Sequence, residues 1–146
     1  MSLDVAAVRV GDTHEVQVVA DLTRTQIVQF AGASGDFNPL HTDEVFATRA
    51  VGNRTVMAHG MLVMGVTGRA LTDLLGDGRL TSFGGRFRAP TWPGDDLHVQ
   101  ITVTGLGNTA DGDPEGRFEL TTRNQDGHTV FSGTATGRLD GLGSAG

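Results

Sequence analysis

The chain has 146 residues, 38% hydrophobic and 19% charged, with a net charge of −6 and no cysteine. This fits one globular domain with room for a sizeable core, not a disordered or fibrous chain. The acidic balance argues against broad electrostatic binding to nucleic acid or an anionic membrane, and the missing cysteine excludes a disulfide framework, a thiol nucleophile and a cysteine-ligated zinc. The opening MSLDVAAVRVGDTHEV has no basic region followed by an apolar run, so no secretory signal is expected and a cytoplasmic location is.

Val5 to Asp12 read as an irregular lead-in closing in a Gly11-Asp12 turn. Glu15 to Ala20 partly alternate, which predicts a first strand over 13–20. Thr23-Arg24-Thr25-Gln26 is a capping box, with Leu22 and Ile27 at the flanking staple positions. Ile27, Phe30, Ala31 and Ser34 follow at helical spacing, so a helix is expected to stop where Gly35 and Pro39 intervene. Thr42 is the expected cap of a short helix with Asp43 and Glu44 in its first turn. Val45 and Phe46 are its expected apolar contacts, and Gly52-Asn53 its break.

From His59 to Leu75 the chain reads HGMLVMGVTGRALTDLL, followed by Gly76 as a C-terminal cap. Met61, Leu62, Val63, Met64 and Val66 occupy every side of the first half, which predicts a buried helix. Arg69 and Asp73 interrupt it, and it falls short of the roughly 20 apolar residues that span a membrane. Gly65 and Gly68 should each cost such a helix about 1 kcal/mol relative to alanine, so a strand or a ligand is expected close to that face.

The remainder reads as β. Ser82 to Arg88 alternate with Phe83, Gly85 and Phe87 on one face, and Trp92-Pro93-Gly94-Asp95 form a turn. Leu97 to Thr104 alternate cleanly, a polar loop covers 107–115, and Arg117 to Thr121 form the next strand. Asp126-Gly127 is a hairpin signal before a return strand at Val130 to Thr136, and residues 140–146 are expected to be a disordered tail. One strand, helices around a long buried helix, and four antiparallel strands give an α+β architecture: one domain over 1–139, a sheet curled around a central helix.

The chemistry concentrates between Phe30 and Met61. Asp36 and His41 lie five residues apart on a turn-rich loop, Ser34-Gly35-Asp36-Phe37-Asn38-Pro39-Leu40-His41. Each has a structural reading, Asp36 as a turn former and His41 as a helix-start residue. Together they read as an acid–base pair. Asn38 either holds the loop through backbone bonds or touches substrate. Gly60 stands at the start of the long helix, where unpaired amides and the helix dipole suit an oxyanion, though it is equally a packing glycine. His59 reads as a structural hydrogen bonder.

The competing sites are weaker. Asp36, His41, Asp43 and His59 contain no His-x-x-x-His or Glu-x-x-His pattern for a metal. Gly105-Leu106-Gly107-Asn108-Thr109-Ala110 matches a dinucleotide fingerprint by letter but precedes a polar loop instead of a helix. Ser34 lacks a nucleophile-elbow context. His14, His98 and His128 read as surface residues. Arg86 and Arg88 read as a solvated strand face that could also meet carrier phosphates.

FAGASGDFNPLHTDEVFA followed by AHGM resembles the signature of the MaoC-like (R)-specific enoyl-thioester hydratases and dehydratases. The likeness extends from Val10-Gly11-Asp12 through the Trp-Pro-Gly-Asp turn to the last strand. It implies a hotdog domain and reversible syn addition of water to a trans-2-enoyl thioester of coenzyme A or acyl carrier protein, with no metal or redox cofactor. Asp36 and His41 match the catalytic pair, Gly60 the backbone donor to the thioester carbonyl, and Met64, Gly65 and Gly68 the helix bordering an acyl tunnel. The resemblance also implies a homodimer, or a heterodimer with a second hotdog subunit as in mycobacterial-type hydroxyacyl-carrier-protein dehydratases. A non-catalytic acyl-binding subunit and a hotdog thioesterase are the alternatives.

Overall fold

The structure, a computed structural model, describes residue 3 and residues 7–139; the expected tail at 140–146 and Val5 and Ala6 of the expected lead-in lie outside them. In chain order the elements are β1 (Thr13–Val19), α1 (Arg24–Ser34), a 3-10 turn (Pro39–His41), a π-helical turn (Phe46–Val51), α2 (Gly60–Leu75), β2 (Leu80–Phe87), β3 (Leu97–Asn108), β4 (Pro114–Arg123) and β5 (Thr129–Arg138). The strands form one antiparallel sheet in the order β1-β3-β4-β5-β2, with β1 and β2 at its edges. This is the α+β hotdog arrangement, with the sheet curled against α2.

Strand alternation supplies one wall of the core. Leu97, Val99, Ile101 and Val103 of β3, and Phe118 and Leu120 of β4, are all buried. Opposite them α2 buries Ala70, Leu71, Leu74 and Leu75. Each such leucine contributes about 1.5–3 kcal/mol relative to exposure. Thr67 of α2 and Thr122 of β4 are polar members of this core, and their hydroxyls pair at 2.6 Å while Thr67 Oγ1 also donates to the Val63 carbonyl. Helix and sheet are thereby fastened without an unsatisfied hydroxyl at that point. Where β2 crosses β5, a Cβ on Gly85 would strike the Ser132 carbonyl and one on Gly133 the Gly84 carbonyl, so the close approach of the two strands requires glycine at both positions.

The capping box at Thr23 forms as expected: Thr23 Oγ1 accepts from Gln26 N at 3.0 Å and Thr23 N donates to Gln26 Oε1 at 2.9 Å. Leu22 and Ile27 are buried beside it. The Trp92–Asp95 turn bonds to this corner. Leu22 N donates to Asp95 O at 2.9 Å and Gly94 N to Leu22 O at 2.7 Å. The buried Asp95 carboxylate accepts from Trp92 N and Gln125 Nε2.

Several expectations are corrected. The short helix is capped by Asp43, not Thr42, because Asp43 Oδ1 accepts from Val45 N at 2.9 Å and Phe46 N at 3.1 Å. Its buried residue is Ala47, while Val45 and Phe46 are 59% and 36% exposed. α2 is not buried all round: Met61, Gly65, Arg69 and Asp73 lie on an exposed stripe at four-residue spacing. The polar loop is shorter than 107–115, since β3 runs to Asn108 and β4 starts at Pro114. Gly105 and Gly107 therefore lie within a strand, not in a dinucleotide loop. The Asp126-Gly127 hairpin signal, by contrast, is borne out: residues 124–128 join β4 to β5, with Gly127 at φ 79° and Asn124 Oδ1 accepting from Asp126 N and His128 N.

Thr23→Ala removes one half of the capping box and is expected to lower folding stability by about 1 kcal/mol. Urea denaturation checks this, and an unchanged midpoint would show that the cap contributes nothing.

Candidate active site

Gly35 ends α1 in the left-handed region at φ 76°, its N–H donating to Ala31 O at 3.0 Å. The chain then turns on its own polar side chains. Asp36 N donates to Ser34 Oγ, Asn38 N to Asp36 Oδ1 at 3.2 Å, and Leu40 N to Asn38 Oδ1 at 3.0 Å. Pro39 opens the 3-10 turn, which delivers His41 to the interior. Asn38 thus makes a bond inside the loop, as its loop-holding reading expects. One Asp36 oxygen is used by the turn, and the other, Oδ2, stands 3.8 Å from His41 Nε2.

The two residues differ in surroundings. The His41 side chain is 7% exposed and that of Asp36 53%. His41 Nδ1 meets the Met57 carbonyl, so Nδ1 carries the hydrogen and Nε2 presents its lone pair toward Asp36. Met57 N in turn donates to Leu40 O at 3.2 Å, and Ala58 N donates to Thr91 O at 2.9 Å. His59 Nε2 donates to the main-chain carbonyl of Asp36 at 3.0 Å. The imidazoles of His41 and His59 stack at 3.7 Å with 21° between their planes, and Phe30 of α1 meets the His59 ring edge-on at 4.8 Å. The loop is thus folded back over the start of α2.

Asp36, His41 and His59 each place a ligand-type atom within 4.8 Å of the others. Metal coordination nevertheless fits them poorly. The near-parallel rings keep their in-plane lone pairs in two separate planes instead of converging on one point. Asp43, the fourth residue of the sequence-based set, is occupied in capping.

At the start of α2 the helix-internal bonds begin with Leu62 N and Val63 N, both on His59 O, so the Gly60 and Met61 amides precede the first closed turn. A Cβ at Gly60 would come 3.0 Å from the Phe87 ring. A cavity of about 320 Å³ opens at this point, lined by Met57, Ala58, Gly60, Val63, Phe87 and Val130 among others. Met64, Gly65 and Gly68, expected to border an acyl tunnel, are not among its lining residues. Gly65 faces open space, and the space left by Gly68 is filled by Phe83, 3.1 Å from where a Cβ would stand. The close-packed neighbour expected at Gly68 is therefore a strand side chain.

A second fastening holds the segment after the site against α1. Glu44 Oε2 accepts from Arg24 Nη1 at 2.8 Å, Thr55 Oγ1 at 2.9 Å and Val56 N at 3.3 Å, while Arg24 Nη2 donates to Thr55 Oγ1 at 2.8 Å. These bonds, led by that from Arg24, hold the Glu44 carboxyl below its ordinary value of 4.5. A lowered folded-state value means that the contribution is full above the ordinary carboxylate range and is lost as pH falls through the lowered one.

Sequence reasoning brought Asp36, His41, His59 and Gly60 to one site but missed three neighbours. The Met57 carbonyl carries no residue-type signal. Phe87 shares a strand face with Phe83 in the sequence alternation, which is the available clue. Phe30 carries only a helix-face signal.

The chain belongs to the MaoC-like domain family, which it matches over residues 5–124. It is 37% identical over 131 residues to the (R)-specific enoyl-CoA hydratase of Rhodospirillum rubrum, covering 87% of this chain and 86% of that protein. It is 38% identical over 102 residues to 3-hydroxyacyl-thioester dehydratase Y of Mycobacterium tuberculosis, covering 68% of this chain but 35% of that longer protein. Among solved structures, the (R)-hydratase from A. caviae involved in PHA biosynthesis superposes with a TM-score of 0.79 at 26% identity, across 91% of this chain and 98% of that one. No helix among the described residues is long and apolar enough to cross a membrane.

The Glu44 fastening yields a signed pH dependence. Glu44→Gln is expected to melt below the parent protein at neutral pH, and the two melting temperatures should converge as pH falls below about 4.5. Melting curves at several pH values check it, and a constant difference across the series would refute it.

Proposed function

We propose that the chain is an (R)-specific enoyl-thioester hydratase and 3-hydroxyacyl-thioester dehydratase, a hydro-lyase acting on acyl chains carried by coenzyme A or acyl carrier protein. The observation that carries this reading is the meeting of Asp36 Oδ2 and His41 Nε2, 3.8 Å apart, over the start of the helix that begins at Gly60. That separation exceeds a hydrogen bond and suits one water touching both atoms. His41 Nε2 takes the proton of that water as its oxygen bonds to C3 of the enoyl thioester. Asp36 Oδ2 accepts the other hydrogen and orients the attack. The electron pair displaced from the double bond moves onto the thioester oxygen, which the Gly60 N–H and the helix dipole hold. The proton then returns to C2 on the same face, giving the (3R)-hydroxyacyl thioester, and dehydration runs the steps in reverse.

Asn38 orients the loop in this scheme. It requires neither a metal nor a redox cofactor, because water is activated by the pair and the thioester by a backbone amide. The cavity beside Gly60 is the space for the substrate's apolar part. We further propose a homodimer. Phe37, Met61 and Phe87, which flank Asp36 and Gly60, are 68%, 57% and 50% exposed, an apolar rim suited to a second copy.

Loss of the enoyl-thioester absorbance with crotonyl-CoA, and with longer and carrier-linked substrates, tests the activity. Asp36→Asn is expected to lower kcat about 10²–10⁴-fold without a large change in melting temperature, and His41→Ala to lower kcat as much while also lowering the melting temperature, because it empties a buried ring site. Release of free thiol would favour a thioesterase. Inactivity on every substrate, alone and with a partner subunit, would favour a non-catalytic acyl-binding role. Sedimentation tests the homodimer, and a monomer that gains activity only with a second hotdog chain would replace it with a heterodimer.

A further inference from the structure

His59 touches both halves of the site through its side chain, and the reaction scheme gives it no step. Its side chain is 2% exposed, too enclosed for a surface role. Its Nε2 hydrogen goes to the Asp36 carbonyl, its face lies on the His41 ring, and its edge meets Phe30. Its carbonyl receives the first helix-internal amides, those of Leu62 and Val63. Its peptide bond to Gly60 contains the very N–H assigned to the thioester oxygen. Shifting this side chain therefore moves the Asp36 loop relative to that amide.

The bond to Asp36 is the stiff part of this connection. Asp36 is otherwise held by its own turn, through Ser34 and Asn38, and its carboxylate side is open to solvent. The side-chain bond from His59 Nε2 joins the Asp36 carbonyl to a segment 23 residues later. His41, by contrast, has its own anchor in the Met57 carbonyl. The stacked ring thus adds contact to a residue already fixed, whereas the hydrogen bond fixes a residue that otherwise depends on a local loop.

Resting on the hydratase reading, we infer that His59 is a positioning residue: its Nε2–H bond to the Asp36 carbonyl sets the catalytic carboxylate in register with the Gly60 amide. It touches no reacting atom in this assignment. A misplacement of order 1 Å at such a site costs about 10²-fold in rate, which sets the scale of the expected effect.

Two substitutions separate bond from ring. His59→Phe keeps a stacking ring and loses the donor, while His59→Gln keeps an amide donor of similar reach and loses the ring. With crotonyl-CoA, His59→Phe is expected to lower kcat about 100-fold with KM within about threefold, and His59→Gln to recover most of that loss. In an Asp36→Asn background, where the carboxylate is already gone, His59→Phe should cost less than about tenfold. Full activity in His59→Phe, the same loss in both backgrounds, or a folded His59→Gln as slow as His59→Phe would each overturn the assignment. Should His59→Phe fail to fold, the rate of His59→Gln decides: near the parent rate supports it, a 100-fold loss refutes it. A parent protein without hydratase activity overturns the underlying reading and this assignment with it, an outcome distinct from active parent and unaffected variants.

Discussion

Everything at the site depends on a crosswise exchange of hydrogen bonds between two segments far apart in sequence. His41, on the loop, gives its Nδ1 hydrogen to the carbonyl of Met57, ahead of α2. His59, at the start of α2, gives its Nε2 hydrogen to the carbonyl of Asp36 on the loop. A buried imidazole whose N–H had no acceptor would cost about 1–3 kcal/mol, so each ring in effect requires the other segment's backbone. The stacked rings occupy the space between, and Met57 N closes the exchange onto Leu40 O. The loop's path is thus set by where two donors can be satisfied, and the approach of Asp36 to His41 follows from that path.

This arrangement gives the pair an inner and an outer member. His41 is held in one orientation with its lone pair turned outward, and Asp36 stays open to solvent beside it. A base that must sit correctly benefits from burial and a fixed tautomer, whereas a carboxylate that must meet an incoming substrate benefits from access. On the other side, Gly60 lets the Phe87 ring close to van der Waals distance while leaving the amide ahead of the first helical turn. The cavity wall and the amide assigned to the thioester oxygen in the proposed reaction meet at one residue because that residue has no side chain.

The fold was legible where the signal was local and periodic. Leu97 through Val103 alternate and are buried in alternation, and Thr23 with Gln26 form the box their spacing predicts. Legibility failed where burial is decided by distant partners. Met61 reads as core, yet among the described residues no element covers its side of α2. Thr42 and Asp43 are both competent caps, and only the actual path of the chain decides for Asp43. Gly68 correctly implied a close neighbour, but its identity, Phe83, came from a strand 15 residues on. At the site, residue types announced Asp36, His41 and Gly60, while the Met57 carbonyl was invisible because every residue has one.

The two long helices show how capping divides structure from chemistry. α1 begins with Thr23 and Gln26 satisfying each other's backbone groups, so its N-terminus has little left to offer a ligand. α2 begins with His59 at the equivalent cap position, in extended geometry, yet that side chain makes no bond to its own helix. It turns away to the Asp36 carbonyl instead. A serine, threonine or aspartate there would accept from an amide of the first turn and draw on the same positive end that an oxyanion needs. Histidine forgoes that local stabilisation, leaves the first amides outside any side-chain cap, and uses its own hydrogen to bring the acid–base loop to them. The missing cap and the positioned carboxylate are two consequences of one side-chain choice.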